Sequence, residues 1–141
     1  MSRIIRTDTS GKERILLQKG IVLALANLKE QRVIDETADD LLAYIALSLI
    51  AICETIENSV IAWEKRGYWI KADKYRREWA WTCKLGAELK QLIIVKDWEK
   101  IEKLITIIDQ NFSNVKISRR NRLGKPWVGS YTKLISPNKS Q

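Results

Sequence analysis

The fold is decided by residues 35–67, DETADDLLAYIALSLIAICETIENSVIAWEKRG. Apolar residues recur here every three or four positions, which places them along one side of an α-helix. This stripe consists of Leu41, Ile45, Leu49, Ile52, Ile56, Val60 and Trp63. Additional apolar residues beside the stripe (Leu42, Leu47 and Ile50) predict burial on more than one side. The segment therefore predicts a long helix that belongs to the protein core.

Both ends of this helix carry the expected signals. Asp35, Glu36 and Thr37 open it with carboxylates at the positive end of the helix dipole. Lys65 and Arg66 close it, and Gly67 stands at the position that favours a left-handed backbone.

Three further helices are predicted around it. Ser10 and Glu13 form a capping box that predicts a first helix over about residues 11–31. Its predicted core stripe is Ile15, Gln18, Val22, Leu25 and Leu28. A third helix is predicted from about Tyr68 to Val95, and Asp97 is expected to cap a fourth that ends near Phe112. Its apolar stripe is Trp98, Ile101, Ile105, Ile108 and Phe112.

These elements predict an all-α fold, an antiparallel four-helix bundle over residues 1–113. Both prolines of the chain come later, in residues 114–141. That second segment also contains apolar side chains, including Val115, Trp127 and Leu134. We therefore expect a basic C-terminal tail that is partly packed against the bundle.

The charge of the protein is concentrated in this tail. The chain has 25 basic and 17 acidic residues, a net charge of +8, and every acid lies between Asp8 and Asp109. Residues 114–141 hold seven basic residues and no acid, so they account for +7 of the total. Clustered cations favour an anionic partner because they release counterions from phosphates. The alternative is a loose terminus that only increases solubility.

A second basic region is rich in aromatic rings. Residues 63–81 contain six of the 11 aromatic residues of the chain and six cations. Cations that contact phosphates and rings that stack on bases predict a nucleic-acid site. The predicted contact residues are Lys74, Arg77, Trp81 and Lys84 on the third helix, with Lys116, Arg119, Arg120, Arg122, Lys125 and Trp127 in the tail.

A packing role for the same region is the alternative. Asp73 and Arg77 are spaced for an ion pair within one helix. Counting outward from Gly67 also places Glu57 opposite Arg77. The rings would then fill one end of the bundle, with arginine stacked on tryptophan.

Catalysis finds little support in the composition. The chain has no histidine, which excludes Ser-His-Asp and Cys-His nucleophile systems and histidine-ligated metals. A magnesium site would need Glu54 and Glu57 to face Asp73 or Glu78 on the next helix. This pattern resembles the paired acidic motifs of all-helical nucleoside triphosphate pyrophosphohydrolases, and the resemblance implies a glutamate where this chain has Ile70. We expect no catalytic residue, no metal and no cofactor.

Location is predicted from the cysteines and the hydropathy. Cys53 and Cys83 lack Cys-x-x-Cys spacing and lie in apolar helical patterns, so we expect reduced, buried thiols. The first residues lack the apolar segment of a signal peptide. The apolar run from Leu41 to Cys53 is 13 residues long, short of the roughly 18–20 that span a bilayer. A cytoplasmic protein with no membrane partner is predicted.

Residues 63–73, WEKRGYWIKAD, resemble small uncharacterised helical bacterial proteins that carry a Trp-Glu-Lys-Arg-x-Tyr-Trp motif. The likeness extends through residues 122–127, RLGKPW. This resemblance implies a small helical fold and carries no function. In architecture alone, a basic helical bundle is similar to accessory proteins of ribosomal RNA and reverse transcriptases, whose motifs are absent here.

The predicted function is a non-enzymatic helical module that binds nucleic acid, either RNA or a ribonucleoprotein. The alternative is a protein-interaction module that forms a homo-oligomer or docks an acidic partner protein. A metal-dependent nucleotide hydrolase is the third and weakest reading.

Overall fold

The structure is a computed structural model that describes residues 7–117 and 122–136, with side chains from Ser10 onward. Helices make up 79% of the described residues, and no strand occurs among them, so the all-α class is confirmed. Four helices are long and one is short. They are α1 (Thr7–Lys29), α2 (Glu36–Lys65), α3 (Trp69–Val95), α4 (Trp98–Asn111) and α5 (Ser130–Ile135).

Helix α2 is the centre of the fold, because α1, α3 and α5 all pack against it. Six of the seven residues of its predicted stripe are buried, and Trp63 is half-buried. The Asp35 carboxylate caps the helix by accepting a hydrogen bond from the Ala38 backbone N–H at 3.0 Å. Gly67 follows the helix with a positive φ of 83°, as its sequence position predicts.

Helices α2 and α3 approach each other closely at Gly86. A Cβ at this position would lie 3.0 Å from the Leu49 Cβ and 3.1 Å from the Ile50 backbone nitrogen. Glycine therefore lets the two backbones pack together without displacing either. Helix α4 packs on α3, and Lys96 makes the turn between them with a left-handed φ of 60°. Asp97 caps α4, as predicted, by accepting a 3.3 Å hydrogen bond from the Lys100 backbone N–H.

Helix α1 differs from its prediction in both its start and its buried face. Thr7, the first described residue, is already helical, so Ser10 lies inside the helix and is buried instead of capping it. Ile15 is 52% exposed, whereas its neighbour Arg14 is only 8% exposed. The predicted stripe was therefore wrong at its first position. The apolar side chains of α1 are not confined to one face of the helix. Contacts with the other helices therefore decide which face is buried.

The tail packs against α2 through α5. The Asp40 carboxylate of α2 accepts hydrogen bonds from the backbone N–H groups of Gly129 (3.1 Å) and Tyr131 (2.9 Å). These donors lie at the start of α5, so Asp40 satisfies amides that have no partner within that helix. Trp127 and Leu134 are 4% and 1% exposed and join the common core. Partial packing of the tail is confirmed.

Candidate nucleic-acid interface

Helix α3 exposes the predicted basic side chains, although acids lie among them. Lys74, Arg77 and Lys84 are all exposed. Arg77 forms the predicted ion pair with Asp73, at 3.0 Å between its Nη2 and the carboxylate. Glu78 and Glu88 are also exposed on this helix. The surface of α3 is therefore mixed in charge, and its basic character is weaker than the sequence pattern suggested.

Trp81 belongs to a row of aromatic rings that crosses three elements. The ring centroids are separated by 4.8 Å between Trp63 and Tyr75, 6.2 Å between Tyr75 and Trp79, and 6.1 Å between Trp79 and Trp81. Phe112, which follows the last residue of α4, makes an edge-to-face contact with Trp81, and their ring centroids are 5.4 Å apart. Contacts in this range stabilise by about 0.5–1.5 kcal/mol beyond the area that they bury. The row therefore has a packing role, as the alternative interpretation of this region predicted.

Arg14 of α1 also contacts this row of aromatic rings. Its guanidinium lies 5.4 Å from the centroid of Tyr75 and 6.0 Å from that of Trp79. Its Nη1 also donates a 3.0 Å hydrogen bond to the Thr55 hydroxyl. No carboxylate among the described side chains pairs with it. Sequence reasoning missed this residue, because an arginine in a helix rich in leucine and isoleucine ordinarily faces water.

The ion pair between α2 and α3 is shifted by one residue from its prediction. Glu57 pairs with Arg76 and not with Arg77, at 3.2 Å between the Arg76 Nε and the carboxylate. Arg76 also contacts Glu64 at 3.4 Å. The hydrogen bond to Glu57 raises the pKa of Arg76 above its usual value, with a further contribution from Glu64. Glu57 is thus occupied by a cation.

The tail residues of the predicted site have three different placements. Lys116, Arg122 and Lys125 are exposed. Arg119 and Arg120 lie outside the described residues. Trp127 is 4% exposed, so its ring packs in the core and is not presented for stacking on a base.

The start of the tail nevertheless lies beside α3. Phe112 contacts Trp81, the aromatic member of the predicted α3 set, and Lys116 follows four residues after Phe112 in the sequence. A hydrogen bond of 3.0 Å from the Val115 backbone N–H to the Phe112 carbonyl holds the intervening turn. The chain then returns to α2, where Asp40 binds Gly129. The segment just before Lys116 is thus held at Trp81 through Phe112, and the later tail is anchored on α2.

The cysteines differ from their prediction. Cys53 of α2 and Cys83 of α3 form a disulfide, with their Cα atoms 5.2 Å apart. Cys53 is half-buried and Cys83 is exposed. The expectation of two reduced, buried thiols was therefore wrong. Disulfides are typical of oxidising compartments, and the cytoplasmic location remains only a prediction.

An apolar groove of about 600 Å³ lies between the end of α1, the α1–α2 connection and α4. Val33 and Ile34 of the connection are 64% and 58% exposed beside it. The remaining apolar lining comes from Leu25, Leu28, Ala38, Leu42, Trp98, Ile101 and Ile105. A 3.1 Å ion pair joins Lys29 to Asp109 at its rim. Sequence reasoning missed this surface.

Two properties of the structure concern the metal-dependent and membrane-bound classes of protein that were considered from the sequence. Within residues 7–117 and 122–136, no three histidine, cysteine or acidic side chains come together to hold a metal ion. Helix α2 is long and apolar enough to cross a bilayer by length and composition, although half of its most apolar window is buried. A core helix passes the same test.

No family model, curated protein or solved structure matches this chain. The resemblance carried by residues 63–73 and 122–127 remains a prediction.

Proposed function

We propose that the four long helices form an antiparallel bundle that binds single-stranded nucleic acid, with RNA as the first candidate. The contact between Trp81 and Phe112 supports this proposal, because Trp81 lies between Arg77 and Lys84 on α3 and Phe112 immediately precedes the basic tail. Arg77 and Lys84 on α3 and Lys116 in the tail would contact phosphates. The bundle arrangement is supported by the partners of α3 on α2: Arg76 contacts Glu57, Cys83 binds Cys53 and Gly86 meets Ile50.

The burial of Trp127 changes how this proposal is tested. Removing residues 116–141 would also remove Trp127 and Leu134 from the core, so a loss of binding would have two causes. Charge-neutralising substitutions at exposed positions avoid this problem.

The double variant Arg77→Gln/Lys84→Gln is expected to bind a short single-stranded RNA more weakly than the unaltered protein. The dependence of affinity on salt should also decrease, by about 0.7 in log–log slope for each phosphate contact removed. Fluorescence anisotropy at stepped salt concentrations measures both quantities.

Lys12→Gln/Lys103→Gln is the matched control, since it removes the same charge from exposed positions on α1 and α4. Equal slopes for the two double variants would contradict a specific α3 site. Affinity without any salt dependence would contradict phosphate contacts altogether.

A second candidate function is assembly into a homodimer, which the apolar groove favours. An interface with two-fold symmetry must be complementary to itself. This surface carries Arg32 at the α1–α2 connection and Glu99 and Glu102 on α4. Two copies related by a two-fold axis would place the arginine of each copy against the acids of the other.

Ile34→Glu is expected to convert such a dimer into a monomer, because it places a charge at the centre of the apolar contact. Sedimentation velocity over a range of concentrations measures the change. Val128→Glu is the control, since Val128 is 70% exposed away from the groove residues. A wild-type protein that is monomeric at every concentration would exclude this function.

A further inference from the structure

The turn between α2 and α3 forms a tip with a defined backbone. The Gly67 N–H donates to the Glu64 carbonyl at 3.0 Å, and the Tyr68 N–H donates to the Trp63 carbonyl at 2.9 Å. With the left-handed Gly67, these two bonds make a Schellman motif. The tip therefore holds its side chains in a fixed arrangement instead of presenting them on a loose loop.

The tip exposes three consecutive large apolar residues. Tyr68, Trp69 and Ile70 are 52%, 63% and 87% exposed. An exposed apolar cluster of this kind on a folded protein marks a contact surface. None of the three belongs to the core cluster or to the residues packed against it.

Cations surround this apolar cluster, and the nearest acids are already paired. Lys65, Arg66, Lys71 and Lys74 are all exposed. Asp73 is bound to Arg77 and Glu64 to Arg76. The tip thus keeps a positive charge that is complementary to an anionic surface.

The side chains of the tip favour a lipid surface over a nucleic acid as its partner. Tryptophan and tyrosine rings are favoured at the membrane–water interface, and lysine and arginine bind anionic headgroups. Ile70, the most exposed of the three, gains by insertion among acyl chains and offers a nucleic acid neither a stacking ring nor a hydrogen bond. The tip also lies at the far end of α2 from Asp40, about 40 Å along the helix axis.

We propose that this tip docks on the surface of an anionic phospholipid bilayer. Tyr68, Trp69 and Ile70 enter the interface, and Lys65, Arg66, Lys71 and Lys74 contact the headgroups. None of these residues belongs to the proposed RNA contacts Arg77, Lys84 and Lys116, although Lys74 was in the set predicted from sequence.

Co-sedimentation with vesicles tests the proposal. The full chain is expected to bind vesicles of phosphatidylcholine mixed with phosphatidylglycerol and to bind phosphatidylcholine alone at least tenfold more weakly, roughly 1.4 kcal/mol. Trp69→Ser/Ile70→Ser and, separately, Lys65→Gln/Arg66→Gln should each lower the affinity for the anionic vesicles by about tenfold or more.

Ile107→Ser/Val128→Ser is the matched control, because it removes two apolar side chains that are 46% and 70% exposed elsewhere. Circular dichroism verifies that each variant is folded. Equal binding by the control and the Trp69/Ile70 variant would overturn the proposal, as would equal binding to both kinds of vesicle. Loss of RNA binding in the tip variants, with vesicle binding retained, would instead assign the tip to nucleic acid.

The proposal of RNA binding and the proposal of membrane docking can be contradicted independently. Lys84→Gln/Lys116→Gln should weaken RNA binding and leave vesicle binding unchanged, because it leaves the ion pair between Arg77 and Asp73 beside the tip intact. If that variant reduces vesicle binding as much as Lys65→Gln/Arg66→Gln does, attraction is general to the charge of the protein and the tip is not a docking site.

Discussion

Replacing Trp127 with alanine is expected to lower the free energy of unfolding by about 3–5 kcal/mol. The ring is 4% exposed and belongs to the same core as the residues of α2. Its removal leaves a cavity beneath α5 as well as losing the burial of a large apolar surface. Urea unfolding followed by circular dichroism measures the effect.

Val128→Ala is the control for this experiment. The side chain is adjacent in sequence but 70% exposed, so its removal should change stability by less than about 0.5 kcal/mol. Limited trypsin digestion adds a local measurement, since Arg122 precedes the docked segment and Lys133 lies within α5. Cleavage there should accelerate in Trp127→Ala. Equal stability of the two variants would contradict the packing of the tail against α2.

Removing the disulfide is expected to cost about 3–4 kcal/mol of stability. The bonded cysteines are 30 residues apart, and a cross-link of this span restricts the unfolded chain considerably. The packing of α2 on α3 around Gly86 does not need the bond, so the folded protein should retain its helical content. Urea unfolding of Cys53→Ala/Cys83→Ala gives the magnitude.

Chemical reduction of the disulfide in the unaltered protein is the matched comparison for the double variant. Unaltered protein in excess dithiothreitol should unfold at nearly the same urea concentration as the double variant, whereas the double variant should not respond to the reductant. Once reduced, Cys83 should react readily with a thiol reagent because it is exposed. Unchanged stability of the unaltered protein in reductant would show that the two thiols are not joined in solution.

The long helices were predictable where their apolar residues occupy a definite face. Helix α2 follows its stripe almost residue for residue, and Asp35, Gly67 and Asp97 make the end structures that their chemistry indicates. Local signals decide such features, because a cap or a left-handed turn involves only neighbouring backbone groups.

Pairing across the α2–α3 turn was not predictable. Counting outward from Gly67 places Trp81 opposite Cys53, whereas the bonded partner is Cys83. Two residues correspond to more than half a turn of helix, enough to change which face meets the neighbour. The same uncertainty shifted the partner of Glu57 from Arg77 to Arg76.

The sequence predicted which charged residues of the candidate site are exposed. It did not predict how those residues and Trp127 are arranged on the folded protein. Lys74, Arg77 and Lys84 face solvent as the helical spacing indicates. Trp127 could not be assigned, since an isolated tryptophan between Pro126 and Val128 fits both a stacking platform and a core residue. Its burial depends on Asp40, which lies far away in sequence.

The cap that Asp40 provides for α5 also bears on when α5 docks during folding and when it detaches during unfolding. Its two hydrogen bonds join residues 89 and 91 positions apart, whereas the α2–α3 disulfide joins residues 30 apart. Closing the larger loop costs more entropy, so α5 should dock late and detach first. A chain interrupted before Gly129 would leave one side of α2 bare, and that apolar side would then favour aggregation during synthesis.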